Sequence, residues 1–448
     1  MGKYVYSLRD YHSIKRAAIE IDGITVLSGV NGCGKSTLSK WLYYIINGVA
    51  NFETYVYAGF IKEIREAVSE LNFFRRDIDM YRWGRRNENM LYFRNIDNML
   101  RKLANGDGTQ GDKEEAEDLF KIALSRFCDI LRDYLKGSPS PDTKERILRL
   151  LNMPEPDEGG IDDAIDQFFS AQMQRMEKMA DDVAKKQDAR QAKLFFDLIT
   201  RNFKITDMRP FDMNLEEDGV KLFSKNVVGN IYGLGRAIYV DTPMAVAESV
   251  VSDDCDHWND LHKLMFNMRQ DFAPTAAHRK ILLRIGKLLN GEVMLKSNDF
   301  NQKRLFYKRK DGLSIRLEDT ATGFKSFSYI MRLVENGYID DKTLLMIDEP
   351  EAHLHPQWIV EFAHILVLLN KELGAKVMVA SHNPNMVEAI QAVAKKLGVL
   401  ENTHFYMAKE AENRFTYEYE DLGQDVEGVF KSFNVAYQKI EQYGSVDI

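Results

Sequence analysis

The sequence predicts an α/β protein in which a large block of helices interrupts a strand-containing core. Short segments of alternating apolar and polar residues occupy residues 4–28, and apolar strands return at 236–241, 343–347 and 376–380. Between about residues 55 and 205, the apolar residues recur instead at the spacing of a helix. Apolar strands that alternate with helices are typical of a parallel sheet covered on both faces. We therefore expect an antiparallel N-terminal β-subdomain, a parallel sheet flanked by helices, and a large helical insertion.

The N-terminal region predicts three short strands, over residues 4–8, 17–21 and 24–28. Asp22 and Gly23 lie between the second strand and the third. An Asp-Gly step between two alternating segments is one of the strongest hairpin signals. We therefore expect the second and third strands to form a hairpin.

The middle of the chain predicts helices, because apolar residues three or four positions apart fall on one helical face. Three such faces are Ile61, Ile64, Val68 and Leu71; Phe120, Leu124, Phe127, Leu131 and Leu135; and Ile165, Phe169, Met173, Met176, Ala180 and Val183. This pattern divides the chain into a first core part at residues 1–54, an insertion at 55–205, and a second core part at 206–448.

Composition and charge limit the classes of protein that fit the sequence. The 448 residues are 45% hydrophobic and 29% charged, with a net charge of -8, which is ordinary for a globular protein. The negative charge argues against general electrostatic binding to nucleic acid, although a local basic patch is compatible with it. The three cysteines are too few for a disulfide framework, and no apolar run is long enough to cross a bilayer. These features predict a cytoplasmic protein with no membrane partner.

A phosphate-binding motif occupies residues 29–36, which match G-x-x-x-x-G-K-[ST] between a predicted strand and a predicted helix. In this motif, backbone N–H groups and a helix N-terminus surround phosphate groups. The predicted nucleotide-binding residues are Gly29, Asn31, Gly32, Cys33, Gly34, Lys35, Ser36 and Thr37. We expect Lys35 to reach the β- and γ-phosphates, Ser36 to bind Mg²⁺, and Thr37 to lie on the α-phosphate side.

Polar residues follow two of the predicted strands. Asp348 and Glu349 come directly after the strand at 343–347. We expect Asp348 to hold the magnesium ion, and Glu349 to orient and polarise the attacking water. An Asp-Glu pair is also common at a helix start, but the phosphate-binding motif favours the catalytic interpretation. A single histidine is more often structural, yet the place of His382 after another strand favours a contact to the γ-phosphate.

In these motifs the chain resembles the soluble ABC-type AAA ATPases of the RecF, SMC and OLD group, which includes ATPase subunits of anti-phage defence systems. The resemblance is carried by residues 8–15, 26–38, 348–356 and 381–384. It implies an ABC-type P-loop ATPase core, with ATP and Mg²⁺ as cofactors. It also implies a head-to-tail homodimer, or a higher homo-oligomer, that holds ATP between two chains.

The resemblance further implies a signature loop shortly before the strand that carries Asp348. Thr322, Gly323 and Lys325 occupy that place and are expected to bind the ATP of the partner chain. The serine that reaches the partner's γ-phosphate in this family is replaced here by Ala321. This difference weakens the expectation of strong ATP-driven dimerisation.

Residues 73–94 interleave arginines with aromatic side chains, a pattern that suits phosphate neutralisation and base stacking. An amphipathic helix with solvated charges explains the same pattern, and the acids Asp77, Asp79 and Glu88 favour this explanation. Binding of DNA or RNA therefore stays open.

The leading functional interpretation is an ATP-hydrolysing switch that senses or clamps nucleic acid and controls a separate effector, such as a nuclease, in anti-phage defence. Only 66 residues follow His382, which we expect to be too few for the metal-dependent nuclease domain of OLD proteins. The alternative is a DNA repair or recombination clamp that acts on DNA ends without a toxic effector.

Overall fold

The computed structural model shows an α/β fold organised around a ten-stranded mixed sheet, which confirms the predicted fold class. The structure describes residues 2–78, 88–105, 110–137, 145, 148–149, 160–189, 192–210, 212–224, 228–241, 256–270, 272–297, 303–430 and 442–443. The chain forms two compact units, one of residues 1–50 with 191–448 and one of residues 51–190. No helix in the described ranges is long and apolar enough to cross a membrane.

Thirteen strands are seen in the described part of the chain. In chain order they are β1 (Tyr4–Tyr11), β2 (Ile14–Ile21), β3 (Ile24–Ser28), β4 (Asp212–Glu217), β5 (Val220–Phe223), β6 (Arg236–Val240), β7 (Gly291–Ser297), β8 (Lys303–Arg309), β9 (Ser314–Arg316), β10 (Thr343–Asp348), β11 (Lys376–Ser381), β12 (Thr403–Glu410) and β13 (Tyr417–Asp421). The large sheet has the order β5-β4-β1-β2-β13-β12-β3-β11-β10-β6, and β7, β8 and β9 form a small sheet.

The large sheet has an antiparallel part and a parallel part. β1 pairs antiparallel with both β2 and β4, whereas β3, β6, β10, β11 and β12 run parallel to one another. Every residue of β3, β10 and β11 is buried, as expected for strands that are covered on both faces. Because parallel strands end at the same edge, Ser28, Asp348 and Ser381 lie at one edge of the sheet.

The predicted hairpin between the second and third strands is wrong. β2 pairs with β1 and β13, while β3 pairs with β11 and β12. The Asp-Gly step serves other contacts: the Gly23 carbonyl accepts a hydrogen bond from the Val377 N–H at 2.9 Å, and Asp22 Oδ1 lies 2.7 Å from His404 Nε2. Strands from the C-terminal half therefore take the place that local hairpin pairing would have filled.

Eleven α-helices are seen in the described ranges. They are α1 (Lys35–Ala50), α2 (Phe52–Ile78), α3 (Glu88–Asn105), α4 (Gln110–Lys136), α5 (Gly160–Ala189), α6 (Ala192–Asn202), α7 (Asp256–Phe266), α8 (Ala276–Leu289), α9 (Thr322–Glu335), α10 (Pro356–Leu373) and α11 (Pro384–Leu397). In the first unit, α8, α9, α10 and α11 contribute buried apolar residues to one core with the parallel strands.

The unit of residues 51–190 contains α2 to α5. Its helices bury the apolar faces that the periodicity predicted, for example at Ile64, Leu124 and Ile165. The predicted insertion, 55–205, overlaps this unit but extends further at its C-terminal end. The side chains of residues 72–93 lie outside the described residues. Both interpretations of the segment of arginines and aromatic residues, nucleic-acid binding and an amphipathic helix with solvated charges, therefore stay predictions.

Candidate nucleotide-binding site

The predicted phosphate loop connects β3 to α1 with a backbone that requires glycine. Gly32 has a φ of 82° and Gly34 a φ of 97°, in the left-handed region that L side chains rarely adopt. A Cβ on Gly34 would lie 2.5 Å from Cγ1 of Ile14 on β2. Asn31 and Gly32 are exposed at the tip of the loop. The loop thus has the curved, close-packed form that lets backbone N–H groups surround an anion.

The C-terminal strands form the wall behind this loop. A Cβ on Gly29 would lie 2.8 Å from Cβ of Ala408 on β12. The Tyr419 hydroxyl on β13 donates to the Cys33 carbonyl at 3.3 Å and lies 3.7 Å from its Sγ. Cys33 itself is fully buried. Its thiol therefore packs against these strands, and the backbone of the loop covers it.

Lys35 begins α1 and is only 7% exposed. Its ammonium donates to the Gly29 carbonyl at 2.9 Å and to the Val30 carbonyl at 3.0 Å. The charge is therefore held against the backbone of the loop, where phosphate oxygens would meet both it and the N-terminus of α1. Thr37 is half-buried in the first turn of the same helix.

Asp348 ends β10 and is 3% exposed. Its Oδ1 accepts from the Ser39 hydroxyl at 2.9 Å, and its Oδ2 accepts from the Tyr239 hydroxyl at 2.9 Å. Burial raises the pKa of the Asp348 carboxyl, while hydrogen bonds from Ser36, Tyr239 and Ser39 act in the opposite direction. These donors stabilise a charge that burial alone would disfavour.

Ser36 and Asp348 are the predicted magnesium ligands, and the Ser36 hydroxyl lies near enough to the Asp348 carboxyl to lower its pKa. A hydroxyl and a carboxylate fit Mg²⁺, which prefers oxygen ligands and keeps several sites for water and phosphate. Among the described residues, no cluster of three or more His, Cys, Asp or Glu side chains is placed to hold a metal ion. A magnesium ion here would therefore take most of its ligands from ATP and water.

A second acid, Asp241, follows β6 beside the Asp348 strand. β6 and β10 are parallel neighbours, with Val240 opposite Ile347, and the charge of Asp241 contributes to the raised pKa of Asp348. Asp241 Oδ2 lies 3.0 Å from His257 Nε2. The edge of the sheet therefore carries more negative charge than the two predicted acids alone provide.

Glu349 and His382 meet at the same edge. Glu349 has a φ of 47°, a left-handed conformation that is uncommon for a residue with a side chain. Its N–H donates to the Ala380 carbonyl at 2.7 Å, and its Oε1 lies 3.4 Å from His382 Nδ1. Both side chains are nearly half exposed, so both are accessible to a nucleotide and to water.

The signature segment has a different environment. Thr322, Gly323 and Lys325 lie in the first turn of α9, whose N-cap Ala321 makes no side-chain capping bond. A Cβ on Gly323 would lie 3.2 Å from Cδ2 of Leu354, so the glycine permits close packing on the segment that follows β10. None of the described hydrogen bonds of Lys35, Asp348, Glu349 or His382 reaches this turn.

Sequence reasoning missed the residues that support the site. Tyr239, Ser39 and Asp241 surround Asp348, and all three precede it by more than a hundred residues. Ser39 had a local signal, because it lies one helical turn after Ser36 on α1. Glu351 had another: it belongs to the same acidic segment as Asp348 and is 6% exposed.

Comparison with known families identifies the part of the chain that contains Asp348, Glu349 and His382. Residues 255–388 match the family described as "AAA domain, putative AbiEii toxin, Type IV TA system". The match confirms the resemblance to AAA ATPases, and it leaves residues 1–254 and 389–448 uncovered. No curated protein matches the chain.

Head domains of Smc proteins are among the solved structures similar to the chain. One is an Smc head bound to the C-terminal winged-helix domain of ScpA, with 12% identity, a TM-score of 0.38, and coverage of 95% of this chain and 98% of that chain. The head from Thermotoga maritima has 10% identity, a TM-score of 0.35, and coverage of 94% and 99%. The ScpA-bound head with an extended coiled coil from Pyrococcus furiosus has 11% identity, a TM-score of 0.35, and coverage of 97% and 100%.

Proposed function

We propose that the protein is an ATP-hydrolysing switch of the soluble ABC type. One observation carries this proposal: the phosphate loop, the buried Asp348 and the Glu349–His382 pair lie together at one edge of the parallel strands. Ser39 on α1 reaches Asp348 directly at 2.9 Å, so the loop helix and the end of β10 are joined. This arrangement suits phosphoryl transfer, in which positioning and charge stabilisation supply most of the catalysis.

Each residue has a distinct task in the proposed reaction. The loop N–H groups and Lys35 bind the phosphates, and Ser36 and Asp348 hold Mg²⁺, which neutralises charge on the phosphate oxygens when bound. Glu349 orients the attacking water and accepts its proton. His382 contacts Glu349 on one side and is accessible to the terminal phosphate on the other. The Thr322–Lys325 turn completes the site of a partner chain in a head-to-tail dimer.

We further propose that this ATPase senses or clamps nucleic acid and controls a separate effector in anti-phage defence. The description of the matched family, a putative toxin of a type IV TA system, supports a defence role over a repair role. In this proposal, ATP-driven dimerisation is the signal that the effector reads. Cleavage of DNA or RNA by the purified protein alone would contradict the proposal of a separate effector.

The experiment compares ATP binding, hydrolysis and dimerisation in the wild type, K35A and E349Q. We expect K35A to lose ATP binding, because the loop loses its cation. E349Q should keep ATP binding and lose turnover by about 10²–10⁴-fold, the usual contribution of a general base. With ATP and Mg²⁺, light scattering should show E349Q as a dimer. If E349Q hydrolyses ATP at the wild-type rate, the catalytic assignment is wrong.

A further inference from the structure

Glu351 is a buried acid to which the proposed reaction gives no task. It lies in the turn between β10 and α10 and is 6% exposed. Its Oε1 accepts a hydrogen bond from the Ser381 hydroxyl at 2.6 Å. Its Oε2 is buried and has no hydrogen-bond partner in the described part of the chain. A carboxyl group in this state costs folding free energy, so a packing role alone does not account for it.

The contacts of Glu351 lead directly to the turn that carries His382. Ser381, which donates to Glu351, ends β11, and its hydroxyl oxygen also accepts from the Asn383 N–H at 3.0 Å. The His382 Nδ1 lies 3.7 Å from Glu351 Oε1 and 3.4 Å from Glu349 Oε1. One ring nitrogen therefore lies between two carboxylates. The Glu351 side chain is 4% exposed, whereas that of Glu349 is 46% exposed.

This arrangement gives the two ring nitrogens of His382 different roles. A carboxylate that contacts one imidazole nitrogen sets the ring orientation and leaves the other nitrogen for a different partner. The half-exposed Glu349 side chain is a poor anchor on its own, because in the proposed reaction it must also contact water. The buried Glu351, tied to Ser381, has far fewer rotamers open to it and can hold the ring while Glu349 changes its contacts.

We propose that Glu351 is a positioning residue that holds the Ser381–Asn383 turn and keeps His382 Nδ1 directed at the acidic pair. Nε2 is then the nitrogen available to the terminal phosphate of the nucleotide. This inference rests on the proposed ATPase function and extends it to a residue whose described side-chain hydrogen bond and ion pair reach neither the phosphate loop nor the predicted magnesium ligands.

The test uses E351Q, which keeps the size of the side chain and an oxygen that accepts from Ser381 but removes the negative charge beside His382. E388Q is the matched control, because Glu388 is an exposed glutamate on α11, six residues after His382. We expect E351Q to lower kcat by about 10–100-fold, the usual effect of losing a residue that orients a functional histidine. KM and the binding of a fluorescent ATP analogue should stay within about twofold of wild type, and E388Q should match wild type in all three.

A double-mutant cycle with H382A separates a positioning role from a general structural one. If Glu351 acts through His382, E351Q should lower kcat by less than about twofold in the H382A background. The same large loss in both backgrounds would show that Glu351 acts independently of the histidine and would overturn the inference. So would a wild-type kcat for E351Q, although the proposed ATPase function would then stand. Absence of ATP hydrolysis by the wild type would instead remove the proposed function, and this inference with it.

Discussion

The hydroxyl of Tyr239 is predicted to stabilise the buried charge of Asp348. Tyr239 is 1% exposed and Asp348 is 3% exposed, and their oxygens are 2.9 Å apart. Y239F removes this donor and leaves Oδ2 of a buried carboxylate without it. A hydrogen bond to a charged group contributes about 1.5–3 kcal/mol, and we expect Y239F to lower the free energy of unfolding by that amount.

Y307F is the matched control. The Tyr307 hydroxyl is also buried, but it donates to the neutral Leu289 carbonyl at 2.6 Å. Loss of a bond between neutral groups costs about 0.5–1.5 kcal/mol. Y239F should therefore be the more destabilising of the two, by about 1 kcal/mol, although both substitutions remove a single buried hydroxyl.

Urea unfolding followed by tryptophan fluorescence measures this difference. Three of the four tryptophans, Trp41, Trp258 and Trp358, lie in the unit that contains Tyr239. The signal therefore reports mainly on the unit of interest, which matters because two units need not unfold together.

D348N supplies the decisive comparison for Y239F. In that background the acceptor of Tyr239 is neutral, so Y239F should cost only about 0.5–1.5 kcal/mol. An equal cost of Y239F in the wild-type and D348N backgrounds would refute the reasoning, because the hydroxyl would then not be stabilising the charge.

Three further predictions concern other parts of the molecule. G34A should abolish binding of a fluorescent ATP analogue, because the new Cβ would lie 2.5 Å from Cγ1 of Ile14 at a φ of 97°; retained affinity would contradict this geometry. The hydrogen bond between His404 and Asp22 raises the pKa of His404 above 6.5 and lowers the pKa of Asp22 below 3.8. The stabilisation is fully present between these values and is lost as the pH rises through the folded pKa of His404, so the melting-temperature deficit of H404Q should be largest between pH 3.8 and 6.5 and smaller at a pH above the folded pKa of His404. A321S should stabilise the start of α9 by about 0.5–2 kcal/mol through an N-cap hydroxyl and raise the ATP-dependent dimer fraction in light scattering; an unchanged fraction would argue against the signature role of this turn.

The sequence alone was sufficient to predict strands that can be recognised without knowing their neighbours in the sheet. Continuous apolar runs predicted β10 and β11, because a strand buried on both faces carries its own signal. The glycine pattern of the phosphate loop is equally local. The Asp22-Gly23 step failed as a hairpin signal because the competing partners of β2 and β3 are β13 and β12, almost four hundred residues away.

Tyr239 and Asp241 could not be predicted from local patterns for the same reason. Tyr239 reaches Asp348 only because β6 is the parallel neighbour of β10, and no spacing rule gives strand order. Glu351 is adjacent in sequence to the predicted acids, but its role depends on burial and on Ser381, which belongs to another strand. Residue types predicted the chemistry, and sheet topology decided which side chains take part.

The position of β12 and β13 has a consequence for synthesis of the protein. Ala408 and Tyr419 form the wall of the phosphate loop, and about 375 residues separate the end of β3 from the start of β12. At 5–20 residues per second, a ribosome needs roughly 20–75 s to cover that distance. During this time the loop exists without its wall, and the apolar edge of β3 has no partner. We therefore expect the nascent chain to bind nucleotide only after β12 and β13 have been synthesised, and we expect chaperones to hold the shorter N-terminal fragments until then.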